Sequence, residues 1–410
     1  MTALSALFAL SIATGHAPAT PPAPDLATRL DAVLDTAVRE QRIVGAVLRV
    51  ERDGRTVYRR AVGQIDREAG RPMPEDAVFR LASVSKPIVT LAALRLVDQG
   101  RLQLGDPVTR WIPEFRPALA DGRVPTITVH HLLTHSAGLD SPGAQPPDGP
   151  YHRLGISDGL DRRALTLTQN VQRIADAPLI YAPGTGWRYS LAIDVLGEVV
   201  AQAHGTDLPR AVAELVTGPL GMADAAFWVA PSARVAVPYV DGAPAPQRMT
   251  GALDVPLPPG LGVSLRFDPE RAFDAEAFAS GGAGMLGTAD DVVRALEVFH
   301  GRGPFLQPAT IAQARRDHVG TVAATQGPGW GFGYGGAVLI DPAATATPQS
   351  PGTLQWGGVY GHTWFVDPAN GLTVVLLTNT AYEGMSGALP REVRDAVYAG
   401  ESGKQVMLGR

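Results

Sequence analysis

Apolar positions change their period along the chain, and the changes mark out its elements. From Asp25 to Glu40 the residues Leu26, Leu30, Val33, Leu34 and Val38 return every three to four places, which predicts an amphipathic helix. Two valine-rich runs follow in "VGAVLRVERDGRTVYRRAVG", on either side of Asp53-Gly54, a dipeptide suited to a tight hairpin turn. From Ser83 to Gln99 the helical period returns, with apolar residues nearly all round: Ile88, Val89, Leu91, Ala92, Leu94, Leu96 and Val97. A helix with no polar face is expected to be buried, and Gly100 stops it.

The pattern then loosens. Between about Gly105 and Phe278 proline and glycine are frequent, and helical segments (130–134, 167–175, 191–203 and 208–215) are separated by loops. Order returns at Thr288, a capping residue followed by Asp290 and Asp291, both suited to the positive end of a helix. The last third supplies strands, "YGGAVLI", "TLQWGG", "TWFVDP" and "LTVVLLTN", and a final helix from Pro390 to Tyr398. Strands thus lie near both ends and helices in the middle. The arrangement predicted is an α/β fold of the α+β type: one antiparallel sheet built from both ends of the chain and flanked by helices. Residues 25–104 and 279–410 would form that α/β domain, and residues 105–278 an inserted, mainly helical, loop-rich domain. Residues 1–24 would be a flexible tail or a leader, since Ala3–Ala13 is apolar and Ala17-Pro18-Ala19 is loosely A-x-A-like.

Composition narrows the chemistry. The chain has 410 residues, 45% of them hydrophobic, a formal charge of −5 and a mean hydropathy of +0.04. No basic cluster points to nucleic acid, and no stretch after the N-terminus reaches the roughly 18 apolar residues of a membrane span. There is no cysteine, which excludes disulfides, thiolate nucleophiles and cysteine-ligated metals. Glycine runs such as "SGGAG" and "WGFGYG" lack the spacing of a dinucleotide loop, and no His/Asp/Glu group has metal-site spacing, so no cofactor is expected. Lysine occurs only at Lys86 and Lys404, and the remaining basic residues are arginine. Lysine can share or lose a proton in a protein, whereas arginine cannot.

Two serines compete as nucleophile. Gly155-Ile-Ser157-Asp-Gly159 fits G-x-S-x-G, but that pattern is expected by accident about 0.2 times in such a chain. It is also flanked by turn chemistry instead of the strand and helix of a nucleophile elbow, so Ser157 reads as a loop residue. Ser83 stands three residues before Lys86, an S-x-x-K match with a chance expectation of about 0.07. It opens the buried helix, where one turn places Lys86 on the same face; Pro87 is tolerated because first-turn N–H groups have no intrahelical partner. Ser85 could compete as cap but points elsewhere on the helix. A Ser-His-Asp triad would need His135 or His362 as base, and each reads more simply as a hydrogen-bonded structural histidine.

"FRLASVSKPIV", "HHLLTHSAGL", "GWRYSLAIDVLGEVV", "SGGAGM", "GPGWGFGY" and "LQWGGVYGHTWFVDP", in this order, resemble the serine β-lactamase-like superfamily, and within it the family VIII carboxylesterases. The resemblance runs from about Leu26 to Tyr398 and implies a β-lactamase/transpeptidase-like fold. It implies Ser83 as the acylated nucleophile, Lys86 as its partner and Tyr189 as general base. The backbone N–H groups of Ser83 and Val359 would form the oxyanion hole, with Trp356-Gly357-Gly358 at the strand position where β-lactamases carry K-T-G. Leu191 stands where those enzymes have an asparagine, and Trp356 where they have a lysine. Both exchanges favour a neutral ester over an anionic lactam, and Leu191, Trp356 and His362 are expected around the substrate. The implied activity is serine carboxylesterase action on short-chain neutral esters, with a small-molecule ester as substrate, no nucleic-acid or membrane partner, and the oligomeric state open. The alternatives are a β-lactamase or transacylase of the same fold, or a penicillin-binding protein acylated without turnover. The likeness to intracellular esterases implies a cytoplasmic location; a leader at the N-terminus would instead imply the periplasm or secretion.

Overall fold

The computed structural model describes residues 24–320, 323 and 325–399; the apolar stretch read as a leader lies outside them. Helix α1 (Leu26–Arg39) is capped by Asp25, whose carboxylate accepts from Thr28 N. Strands β1 (Gly45–Arg52) and β2 (Arg55–Asp66) form the predicted hairpin. Its turn residues Asp53 and Gly54 both take positive φ, 52° and 73°, as the tight turn of a twisted hairpin requires. A short β3 (Arg71–Pro72) completes the N-terminal contribution. From the C-terminal third come β4 (Trp330–Phe332), β5 (Ala337–Leu339), β6 (Leu354–Gly358), β7 (His362–Asp367) and β8 (Leu372–Thr378). Among the described residues these make one eight-stranded antiparallel sheet, in the order β4-β5-β6-β7-β8-β1-β2-β3. The two ends of the chain meet where β1 pairs with β8, Leu48 opposite Leu376.

Alternation along these two central strands sorts the core into two layers. Ala46, Leu48 and Val50 of β1, with Val374 and Leu376 of β8, pack beneath Leu30, Leu34 and Ala37 of α1 and Val393 and Val397 of the last helix, α7 (Leu389–Tyr398). Val47, Val375 and Leu377 point the other way, into the larger cluster built on α2 (Ser85–Asp98). Eleven residues of α2 are buried, which accounts for its apolar circumference. Against it lie α3 (Val129–Leu133), α4 (Leu167–Asp176), α5 (Ala192–His204) and α6 (Ala289–Glu297) as further parts of the same cluster.

The middle of the chain carries strands that its sequence pattern does not announce. Leu253–Pro256 pairs with Ser264–Phe267, and Tyr239–Val240 pairs with Gln247–Arg248. These strands have two to four residues, too few to establish a period of two. The helix expected over 208–215 is α-helical only at Leu208–Val212 and continues as a wider π turn through Thr217.

Helix α6 begins as its sequence indicates, with a reciprocal cap. Thr288 Oγ1 accepts from Asp291 N at 3.2 Å, and the buried Asp291 carboxylate accepts from Thr288 N at 3.0 Å. Replacing Thr288 by alanine should cost about 1–2 kcal/mol. A urea titration should show a lower midpoint with an unchanged slope, and an unchanged midpoint would contradict the capping role.

Candidate active site

Ser83 lies on a turn, and this departs from the sequence expectation. Ala82–Val84 form a single 3-10 turn, and α-helix begins only at Ser85. Ala82, just before the serine, has φ of 45°, a left-handed conformation unusual for a residue with a Cβ. Neighbouring segments hold the turn in place. Leu81 N–H donates to the Met285 carbonyl at 2.9 Å, and Met285 N–H donates to Ser85 Oγ at 3.1 Å. Ser85 is therefore a tie between α2 and residues 280–285, not a cap. Strand β6 closes on the same turn: a Cβ at Gly358 would lie 2.6 Å from the Leu81 carbonyl oxygen, so only glycine allows this approach.

Lys86 is 7% exposed. Its Nζ donates to Ser83 Oγ at 3.2 Å and to the Gly282 carbonyl at 2.7 Å. Asp194, which the sequence reading did not single out, stands close by. It is wholly buried; Oδ1 accepts from Ser280 Oγ at 2.6 Å, and Oδ2 has no hydrogen-bond partner. Burial pushes its pKa up, and the Ser280 hydroxyl and the Lys86 charge pull it back. A Cβ at Gly282 would sit 2.5 Å from Asp194 Oδ2 and 3.4 Å from Lys86 Nζ. The lysine and the carboxylate thus flank one glycine. A buried-looking helix start in which Asp194 is the acid of the first turn, "AIDVLG", is the signal that could have found it.

Tyr189 enters from the segment before α5. Lys86 Nζ lies 4.6 Å from its ring centroid. Trp356 packs at 5.0 Å and donates its indole N–H to Tyr189 Oη at 3.2 Å. The sequence predicts an apolar face with one donor at Trp356, and that donor is directed at the phenol. Among the described residues no hydrogen bond joins Tyr189 Oη to Ser83 Oγ or Lys86 Nζ; the lysine meets the ring face instead.

His135 fixes Tyr189 from behind. Its carbonyl accepts from Arg188 N at 3.0 Å, and its Nδ1 accepts from Ser190 N at 3.2 Å, so both chain neighbours of the tyrosine are tied to one residue. Its ring packs against the phenol at 4.8 Å, tilted by 39°. Burial, reinforced by the Lys86 charge, holds the imidazole well below its ordinary pKa, and it stays neutral. His362 is misplaced by the sequence reading. It is fully buried behind β6, donates from Nε2 to the Arg80 carbonyl at 2.8 Å, and does not line the cavity. Burial pushes its pKa down to about 4. Neither histidine bonds to Ser83. Ser157 is buried as well: its hydroxyl donates to Asp161 and accepts from Gly159 N at 3.0 Å, inside a turn that Asn170 also holds.

A cavity of about 880 Å³ brings together Ser83, Lys86, Tyr189, Leu191, Trp356, Gly357 and Val359. Gly358, like His362, is not among its walls, since it faces the Ser83 turn. Ser141, Gly143 and Ala144 form one side, and residues between Leu257 and Leu265, with Met385, form others. Among the described residues no group of His, Asp or Glu is arranged to hold a metal ion. The arrangement suits acyl transfer: a hydroxyl on a rigid turn, an ammonium donor against it, and a phenol within the same enclosure.

Comparison with known proteins agrees with this geometry. The Beta-lactamase family profile matches residues 30–399. Esterase EstB of Burkholderia gladioli is 61% identical over 378 residues, which span 92% of this chain and 96% of the relative. The solved structure of EstCE1, described as a hydrolase with promiscuous acyltransferase activity, is 52% identical with a TM-score of 0.90, over 91% of this chain and 98% of that one. Simvastatin synthase from Aspergillus terreus shares the fold at 23% identity and a TM-score of 0.72, over 93% of this chain and 100% of that one. With the turn-borne serine, its lysine one turn on and the antiparallel sheet beside them, the match places this chain in the β-lactamase family, with the β-lactamase/transpeptidase-like fold.

Proposed function

We propose that this chain is a serine carboxylesterase that hydrolyses short-chain neutral esters through an acyl-enzyme on Ser83. The observation that carries the reading is the 3.2 Å contact from Lys86 Nζ to Ser83 Oγ inside the large cavity, with Tyr189 above the lysine. Ser83 Oγ attacks the ester carbonyl; its proton passes to Tyr189 Oη while the phenol's own proton passes to the ester oxygen, whose bond to the carbonyl carbon breaks so that the alcohol departs and the acyl group stays on Ser83. At rest the phenol oxygen rests on the Trp356 indole; with substrate bound it turns toward the serine, as catalytic hydrogen bonds often tighten only in the complex. Because Trp356 donates to Oη, the phenol's own hydrogen is free to point elsewhere. Lys86 orients Ser83 and lends positive charge as negative charge develops, and Asp194 balances that charge within the buried site. The Ser83 and Val359 N–H groups receive the oxyanion, each contributing about 3 kcal/mol. Water then attacks the acyl-enzyme, passing a proton to Tyr189 as the tyrosine returns one to Ser83 Oγ, and the acyl–Oγ bond breaks to release the acid. The finer assignments follow from this reading: a small neutral ester as substrate, Leu191 and Trp356 as its apolar neighbours, and a cytoplasmic location. No helix among the described residues is long and apolar enough to cross a membrane.

A second reading, transacylation, is favoured by one observation. A cavity of about 880 Å³ exceeds what a short ester fills, which leaves room for an acceptor alcohol beside the acyl-enzyme. Product that rises with added alcohol would support it, and product indifferent to alcohol would leave hydrolysis alone.

The nucleophile assignment separates two variants. Ser83→Ala should lower p-nitrophenyl acetate turnover by about 10⁴-fold or more. Ser157→Ala should keep most turnover and lose about 1–3 kcal/mol of stability, because it breaks a buried hydrogen-bonded turn. The opposite pattern would reverse the assignment. Trp356→Phe keeps the ring and deletes the donor to Tyr189. Steady-state kinetics should show kcat reduced about 10- to 100-fold with little change in KM; an unaltered kcat would show that Trp356 does not position the phenol.

A further inference from the structure

Four charged side chains line the cavity: Lys86, Asp158, Arg188 and Asp194. Three have their charge answered within the protein. Lys86 and Asp194 face each other across Gly282, and Arg188 pairs with Asp140 at 2.9 Å. Asp158 has no ion-pair partner among the described residues. Its Oδ1 accepts from Leu160 N at 3.1 Å, an interaction within its own turn. The nearest basic groups are engaged elsewhere: Arg163 Nε pairs with Asp161 at 2.6 Å, and Arg271 donates to the carbonyls of Gly159 and Phe278. The adjacent wall is apolar, made by Leu160, Leu265, Val359 and Met385.

We propose that Asp158 is a specificity determinant, which selects esters that carry a protonated amine on the part of the substrate lying against Leu160 and Leu265. This rests on the esterase reading and revises one part of it: the exchanges at Leu191 and Trp356 disfavour an anionic substrate, and Asp158 favours a cationic one over a neutral one. A carboxylate on an apolar wall is costly to keep charged without a cation. An ammonium group entering the cavity would supply that cation, and a neutral group of the same shape would not. The titration of Asp158 sets when this matters. Burial first, then the negative charge of Asp161, pushes its pKa up to about 7; Asp194 adds to the rise and Arg163 opposes it. Tyr360, Tyr382 and Arg271 also feel its charge. The carboxyl is therefore ionised above about pH 7 and neutral below it, so selection for an amine should be present on the alkaline side and fade as pH falls through that value.

The test uses ester pairs that differ only by nitrogen against carbon: 3-(dimethylamino)propyl acetate with 4-methylpentyl acetate, and ethyl 4-(dimethylamino)butanoate with ethyl 5-methylhexanoate. The first pair places the amine on the alcohol side and the second on the acyl side. At about pH 8, where the amines are protonated, one pair should show kcat/KM about tenfold higher for its amine member, a difference of about 1.4 kcal/mol. Asp158→Asn keeps the acceptor for Leu160 N and removes the charge. It should bring that ratio near one, as should lowering the pH to about 6 with the unaltered protein. Equal rates within both pairs, or a preference that survives Asp158→Asn, would overturn the proposal. Ser83-dependent hydrolysis of the carbon members reports on the esterase reading whichever way the amine preference falls, so the two failures are distinct.

Discussion

The site depends on a close approach of three backbones around the start of α2. The turn at Ala82–Val84 is held on one side by the Leu81 N–H bond to the Met285 carbonyl, and on the other by β6, which only glycine at 358 lets come so near. Lys86 reaches across the same gap to the Gly282 carbonyl. A strained φ at Ala82 persists because these neighbours over-determine it. The result is a serine whose backbone is fixed by its neighbours and whose hydroxyl is oriented by Lys86, and such rigidity is what preorganised acyl transfer requires. The glycines of "SGGAG" and "WGG" are thus explained by approach distances and not by phosphate binding.

Charge in the site is arranged by the same crowding. One lysine sits in the interior with a buried carboxylate beside it, and its charge helps keep the neighbouring imidazole of His135 neutral. A neutral His135 bonded to Ser190 and packed against Tyr189 serves to position the phenol, and it has no contact from which to act as base toward Ser83. That separates the site from a Ser-His-Asp triad on geometric grounds. The enclosure of Tyr189 by the rings of His135 and Trp356 and the ammonium end of Lys86 also explains why the exchange of a family lysine for Trp356 matters. It takes away a cation and adds a donor to the phenol.

Much of this was legible from the residues alone, and the rest was hidden for definable reasons. Periodicity found α1, the β1–β2 hairpin, α2 and the central C-terminal strands, because each is long enough to repeat and buries a face or its whole circumference. The Thr288 cap was visible because capping chemistry is local. The scarcity of lysine drew attention to Lys86, and family motifs supplied Tyr189, Trp356 and Val359. The left-handed Ala82 left no trace, since nothing in the string "LASVSK" demands it. Asp194 and the His135 clamp were missed because their partners lie 86 and 55 residues away, respectively. His362 was placed at the rim because it follows the Trp356 strand; the pairing of Gly358 with His362 instead leaves it behind that strand, against Arg80 and Phe79.

The most direct measurement of the central claim is the covalent intermediate itself. Rapid acid quench of the protein during p-nitrophenyl acetate turnover, followed by peptide mass mapping, should find one added acetyl group, on Ser83 in the peptide containing "LASVSK". An acetyl group on Ser157, or burst kinetics of product release with no modification at Ser83, would contradict the account.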